Sequence, residues 1–205
     1  GYNLTVRETD GILGEKITAN ILDITAGGNT ELNTTIETLI ADISGYNLTV
    51  RETDEIFGQE IIANLLDITA EGDTELYTKV DTLIADISGY DLTIVETDDL
   101  SLAVNGITSN GNIDLTIGGE IIIQNAGLLS EREGRININA ELVDIDSDVI
   151  SGSGDITINS ITDIQLDANI ETLGNVYLTS GAAITRTSGL VTAALVDLEA
   201  QTGII

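Results

Sequence analysis

The chain has 205 residues, 35 acidic against 7 basic side chains, a formal net charge of −28, and neither His nor Cys. Such a charge disfavours nucleic acid and anionic membrane surfaces as partners, and the missing imidazole and thiol exclude thiolate catalysis, disulfides and the usual nitrogen/sulfur zinc site. A hydrophobic fraction of 42% with 3% aromatic residues and no Pro predicts a folded chain with an Ile/Leu/Val/Ala core built from regular strands, and excludes a disordered acidic tail.

Residues 1–44 and 45–88 are two copies of one unit, differing at twelve positions and aligned without a gap. A third copy opens at Gly89 as GYDLTIVETDDL and then diverges. Within a copy, apolar residues alternate with polar ones: Leu4 and Val6 flank Thr5, Leu22 and Ile24 flank Asp23, and Leu39, Ala41 and Ile43 keep the same parity. Period two means half-buried strands. Asp-Ile-Thr at Asp23 recurs as Asp-Ile-Ser at Asp42, then again at Asp67 and Asp86, at steps of 19, 25 and 19 residues. Past residue 100 the recurring element is Gly-x-Ile/Val-x-Leu/Ile, at Gly111, Gly134, Gly154 and Gly174.

Both halves therefore share a spacing of about twenty residues, too little for an independent core but suited to a coil that stacks on its neighbours. The expected fold is all-β: a parallel β-helix (β-solenoid) with coils of about 20 residues and the right-handed winding usual for parallel crossovers. Residues 1–100 form its regular part and 101–205 its divergent continuation, with coils opening near 111, 134, 154 and 174. A string of β-sandwiches would need a unit of about 100 residues. At about 4.8 Å per turn, nine or ten coils give a rod roughly 45 Å long.

The LTVRETDGI and TLIADISGYNLTV units and the GDITI-type coil starts resemble the repeat regions of filamentous-haemagglutinin-like and autotransporter-like bacterial exoproteins. The resemblance covers essentially the whole chain and rests on repeat grammar. It implies a β-helical stalk or filament at a bacterial surface. The chain shows neither the amino-terminal secretion motif nor the carboxy-terminal translocator of those families.

Candidate sites follow from the register. If Asp23, Asp42, Asp67 and Asp86 occupy equivalent outward positions, they form a column of carboxylates that repel one another. Ca²⁺, which takes oxygen ligands, would bridge such a column, whereas salt screening of a solvated face would do without it. Beside it, Ile21, Ile40, Leu65 and Ile84 predict an outward apolar stripe that a second copy of the chain would cover; a register shift at the corner would put them in the core instead. SGSGDITI at 151–158 is a single, isolated likeness to the calcium-binding glycine-aspartate repeats. The acid pairs Asp144/Asp146, Asp98/Asp99 and Glu131/Glu133 have the residue types of glycosidase-like chemistry, yet 35 acids make such pairs inevitable and no base accompanies them. Asn3, Asn33 and Asn47 match the glycosylation sequon of a eukaryotic secretory route. Thr is abundant but lacks the regular Thr-x-Thr ladder of ice-binding solenoids.

The functional expectation is a non-enzymatic structural rod, extracellular or at the cell surface of a bacterium, with copies of itself and divalent cations as partners. There is no apolar run of the ~20 residues a membrane helix needs. Without Met the chain is expected to be a processed or excerpted piece, whose open first and last coils favour further repeats or end-to-end joining. The rival expectation is an adhesin module recognising glycan or a host protein through loops at 105–111 or 128–134.

Overall fold

The computed structural model of the protein describes residues 2–88, 90–125, 127–130 and 133–205. Gly89, at the head of the third copy, and Glu131 of the Glu131/Glu133 pair lie outside the described residues. Among the described residues all 21 strands belong to one sheet, and every strand pairing is parallel. Each strand bonds to the segment one turn earlier, so the chain winds as a β-solenoid of about ten turns.

One column of the core runs the whole length. Leu4 is in register with Leu22, then Leu39, Gly58, Leu76, Ile94, Leu115, Ile138, Ile158, Leu178 and Leu198. Interior members such as Leu22, Leu39, Leu76, Ile94 and Ile138 are fully buried, while Leu4 in the first turn is 37% exposed. The alternation expected from sequence holds: Leu22, Ile24, Leu39, Ala41 and Ile43 all point inward and are buried. Aliphatic side chains dominate because each turn encloses little cross-section, and β-branched residues stack well at strand spacing.

Turn length sharpens the expectation of about twenty. Along that column the steps are 17 to 19 residues as far as Ile94, then 21, 23 and 20. In the first half the strands are long, and Thr30–Glu52 exceeds a full turn and winds over its own beginning. There the Thr34 hydroxyl donates to the Arg51 carbonyl at 3.3 Å, and the hydroxyls of Thr35 and Thr53 meet at 2.9 Å. In the second half each turn breaks into three short strands, as in Ile136–Ala140, Leu142–Ile145 and Val149–Ser151, which form three faces.

Both repeat copies interrupt the ladder at the same place, between Leu13 and Lys16 and between Gly58 and Ile61. A bulge puts two residues opposite one and turns the strand. The core column has no side chain at Gly58, and the bulge swings Ile61 into that space. A Cβ on Gly58 would lie 2.6 Å from Ile61 Cδ1 and 2.7 Å from Leu76 Cδ2.

The corners of the second half are held by a stack of glycines. A Cβ on Gly134 would come within 1.9 Å of the Gly111 carbonyl oxygen, and one on Gly154 within 2.2 Å of the Gly134 oxygen. Against that stack runs an inward ladder of hydroxyls. Ser130 Oγ donates to Gly111 O at 2.9 Å, Ser151 Oγ to Gly134 O at 2.8 Å and Thr172 Oγ1 to Gly154 O at 2.6 Å. These corner carbonyls are thus paired from the turn above.

A buried column predicts an asymmetry between its two sides. Ile158→Ala should lower the unfolding free energy by about 2–5 kcal/mol, whereas Thr157→Ala, on the outer face of the same strand, should change it by less than about 0.5 kcal/mol. Urea denaturation of the two variants, followed by circular dichroism, measures the difference.

Candidate functional site

The sequence-derived acid column does not form. Asp23 stands between Thr5 and Ile40, and Asp42 between Thr25 and Ile62. Asp67 stands between Thr49 and Ile84, and Asp86 between Thr69 and Thr108. The cause is arithmetic: a motif step of 19 residues overshoots a turn of 17, so Asp42 lands two positions beyond Asp23, and a step of 25 carries Asp67 onto another face. Asp23 instead pairs with Arg7, at 2.9 Å, and that hydrogen bond, with the carboxylate charge behind it, raises the guanidinium pKa. Asp42 accepts from the backbone N–H of Ser44 at 3.2 Å. Among the described residues no three carboxylates converge as a metal ion requires.

The apolar set behaves alike. Ile21, Ile40, Leu65 and Ile84 are outward and half-buried, so none has moved into the core. They do not stack as a stripe, because Ile40 lies over Asp23, Ile84 over Asp67, Ile21 between Asn3 and Thr38, and Leu65 between Asn47 and Thr82. The two expected loops, 105–111 and 128–134, are ladder in part: Ile107–Ser109 pairs with Ala85–Ile87 below and Leu128–Ser130 above, the register passes over residues 103–106, and residues 131 and 132 lie outside the described residues. Of the acid pairs, Asp98 and Asp99 are engaged separately: Asp98 holds Lys79 at 2.8 Å, raising the ammonium pKa, while Asp99 Oδ1 accepts from Glu120 N at 2.9 Å.

That last contact belongs to a device absent from the sequence-based expectations. At the starts of strands, an Asp or Asn side-chain oxygen accepts the backbone N–H of the residue one turn later. Along one corner Asp73 receives Asp91 N at 3.1 Å, Asp91 receives Asn112 N at 2.8 Å and Asn112 receives Arg135 N at 3.0 Å. Asp155 does the same for Asn175, Asp148 for Asn169, Asn169 for Leu190 and Asp163 for Ala183, all within 2.8–3.0 Å. These side chains bridge turns where the ladder bends and the backbone would otherwise lose its partner.

A second unforeseen group comprises Glu52 and Glu96, each 2% exposed. Glu96 accepts from Thr78 Oγ1 at 2.8 Å, Val80 N at 2.9 Å, Thr97 N at 2.7 Å and Asp98 N at 3.1 Å. Glu52 accepts from Ile36 N at 3.0 Å and Thr53 N at 2.7 Å. Several N–H donors aimed at one buried carboxylate are what make its burial tolerable. The signal was present in the sequence: in LTVRE the Glu shares the inward parity of Leu and Val. Glu8, at the equivalent place in the first turn, is exposed.

A concavity of about 330 Å³ is lined by Glu37, Glu55, Phe57, Asp73, Glu75 and Asp91 among others. Phe57 meets Tyr77 edge-on with ring centroids 5.7 Å apart, and the Tyr77 hydroxyl donates to Glu75, which raises the phenol pKa. On another face, burial raises the pKa of Asp144, with the charges of Asp146, Asp167 and Glu120 adding to the effect.

Comparison with known proteins finds no matching family model, no matching curated protein and no matching solved structure. The geometry and the repeat grammar carry the functional argument.

Two substitutions test this part. Glu96→Ala strands Thr78 Oγ1, Val80 N and Asp98 N, Thr97 N keeping the Thr78 carbonyl, and should cost about 3 kcal/mol or more, while Glu8→Ala at the equivalent exposed site should stay within about 0.5 kcal/mol; chemical denaturation compares them. For Asp144, the folded state holds the proton to higher pH than the unfolded chain. Its contribution is therefore most favourable below the ordinary value of 3.8 and is lost as pH rises through the raised folded value. Asp144→Asn should accordingly raise the melting temperature at neutral pH, and the gain should shrink as pH falls through that window.

Proposed function

We propose that the protein is a section of a structural rod: an extracellular bacterial stalk or filament of the filamentous-haemagglutinin-like kind, acting mechanically and not as an enzyme. The observation carrying this reading is the unbroken core column from Leu4 to Leu198, in register through about ten turns. A spacer must transmit position along its length, and stacked parallel ladders with a continuous aliphatic axis resist bending and local opening. A charge of −28 keeps neighbouring rods from irregular sheet-to-sheet aggregation. Further turns of the same kind, or other copies of the chain, are its natural partners. The repeat grammar supports the bacterial surface setting. Calcium bridging has no support in the placement of Asp23, Asp42, Asp67 and Asp86, and rod integrity should not depend on it.

One observation favours a second reading, an adhesin module. At residues 103–106 three more residues enter than the ladder needs: Leu83 pairs with Leu102 but Ala85 with Ile107. Such an irregularity on an otherwise regular rod is where recognition of a glycan or a host protein would be built.

Electron microscopy of the native material separates these readings. The rod reading expects unbranched fibres or stalks of uniform width that survive chelation of divalent cations; compact separate particles away from the cell surface would overturn it. An adhesin would lose binding to its target cells on deletion of residues 103–106 while keeping its melting temperature.

A further inference from the structure

On one face of the rod the outward side chains form two neighbouring columns. The first starts at Phe57 and ends at Tyr177, passing Thr93, Asn137 and Thr157. The second starts at Tyr77 and ends at Thr179, passing Val95, Thr116, Asn139 and Asn159. Buried members of the core column, among them Ile94, Leu115, Ile138 and Ile158, alternate with these positions, so both columns face outward together as a strip two side chains wide.

The strip is close to neutral on a rod of charge −28. It carries two carboxylates, and each is engaged: Glu75 accepts from the Tyr77 hydroxyl at 2.9 Å, and Asp114 pairs with Arg135 at 2.9 Å. Above Asp114, three successive turns present Asn137 with Asn139, Thr157 with Asn159, and Tyr177 with Thr179, before acid returns at Asp197 and Glu199.

Asn159 Nδ2 donates to Asn139 Oδ1 at 2.9 Å, which aligns the two amides along the rod. One bond uses a single donor and a single lone pair, so both amides keep further hydrogen-bonding capacity. Aromatic rings stand at the two ends: Tyr77, 42% exposed, beside Phe57, and the half-buried Tyr177. A concavity of about 280 Å³ adjoins the upper part, lined by Thr116, Asn139, Asn159 and the exposed Ile161 among others.

We propose that this strip binds a linear, neutral polysaccharide laid along the rod axis. Amides and hydroxyls exchange hydrogen bonds with sugar hydroxyls, and the rings at the two ends receive the C–H faces of sugar rings. Rows repeat at about 4.8 Å, close to the rise of one residue in an extended sugar chain, so successive sugars meet successive turns. Charge and size select this occupant. A polyanion, or a second rod bringing −28 of its own, is repelled by the surrounding acid, and a basic partner finds the strip's two carboxylates already taken. Six ladder steps from Phe57 to Tyr177 give a strip roughly 29 Å long that covers about 300 Å², far short of the ~800 Å² each partner buries in a stable protein interface. A thin chain needs no more. The strip lies on strands that do not contain residues 103–106, and it stands whether or not the rod serves as a stalk.

The test is native affinity electrophoresis of the chain through gels containing hydroxyethyl cellulose, mixed-linkage β-glucan, galactomannan or amylose, with heparin as the polyanion. At least one neutral gel should retard the protein, and heparin should not. Tyr177→Ala and Asn139→Ala, both on the outer face, should keep the melting temperature and weaken the retardation about tenfold. Gln165→Ala, outward on another face, should leave it unchanged. Free migration in all four neutral gels, equal retardation by heparin, or retardation that both strip variants preserve would each overturn the proposal. Sedimentation of the same proteins covers the remaining occupant: self-association that Tyr177→Ala abolishes, without retardation in any gel, would assign the strip to a second copy of the chain and overturn the polysaccharide.

Discussion

Everything in this molecule depends on the parallel ladder staying in register from one turn to the next. Each turn contributes roughly one inward side chain per column, so no residue has a deep core behind it. Leu76 is shielded by Gly58 and its bulge below and by Ile94 above, and the same dependence passes along the rod. Stability in such an array is a sum of neighbour terms. The places where register is hardest to keep are the corners, where strands end and backbone groups turn away from the ladder. Two devices solve this: hydroxyls from Ser130, Ser151 and Thr172 reach inward to glycine carbonyls, and Asp or Asn oxygens reach outward to the next turn's N–H. Donors are answered on one side of the corner and acceptors on the other.

This recasts the acidic composition. A chain with 35 carboxylates looks like a chain built to bind cations. Many of these groups are instead engaged within the fold. Asp91, Asp99, Asp148, Asp155 and Asp163 each take a backbone N–H from the following turn, and Glu52 and Glu96 are sealed under it. The few basic residues join the same pattern, with Arg7, Arg51, Lys79 and Arg135 each paired to an acid roughly one turn away. Exposed pairs of this kind contribute little individually, and their value here is directional: each spans neighbouring turns. Structural use of carboxylates and a residual negative exterior are compatible, because the fold consumes lone pairs and not charge.

Much of the architecture could be read from the sequence, and the part that could not has a definite cause. Alternation alone assigns Leu22, Ile24, Leu39, Ala41 and Ile43 to the interior, because a strand's two faces differ by one residue whatever the larger winding does. Placing Asp23 relative to Asp42 needs the turn length to within a residue, and sequence self-similarity reports the length of the genetic unit instead. The two differ: the unit has 44 residues and the early turns 17 to 19. Bulges at Gly58–Ile61 and its counterpart shift the phase again. Glu96 is hard to place from sequence for another reason. A charged residue at an inward position reads as a break in pattern until the donors of the preceding turn are known.

The mismatch between unit and winding has a geometric outcome of its own. Leu4 and Ile94 are five ladder steps apart on a common column, and Leu92, the third unit's counterpart of Leu4, lies two residues before Ile94 on that same side. Leu48, the counterpart in the second unit, belongs to a different column with Leu66, Leu83 and Leu102. Identical patches therefore spiral about the shaft like the threads of a screw, and alternate ones come back into line after about 24 Å. A bivalent receptor approaching from one direction would meet every second patch, so valency along this shaft is set by the pitch of the spiral and not by the number of copies.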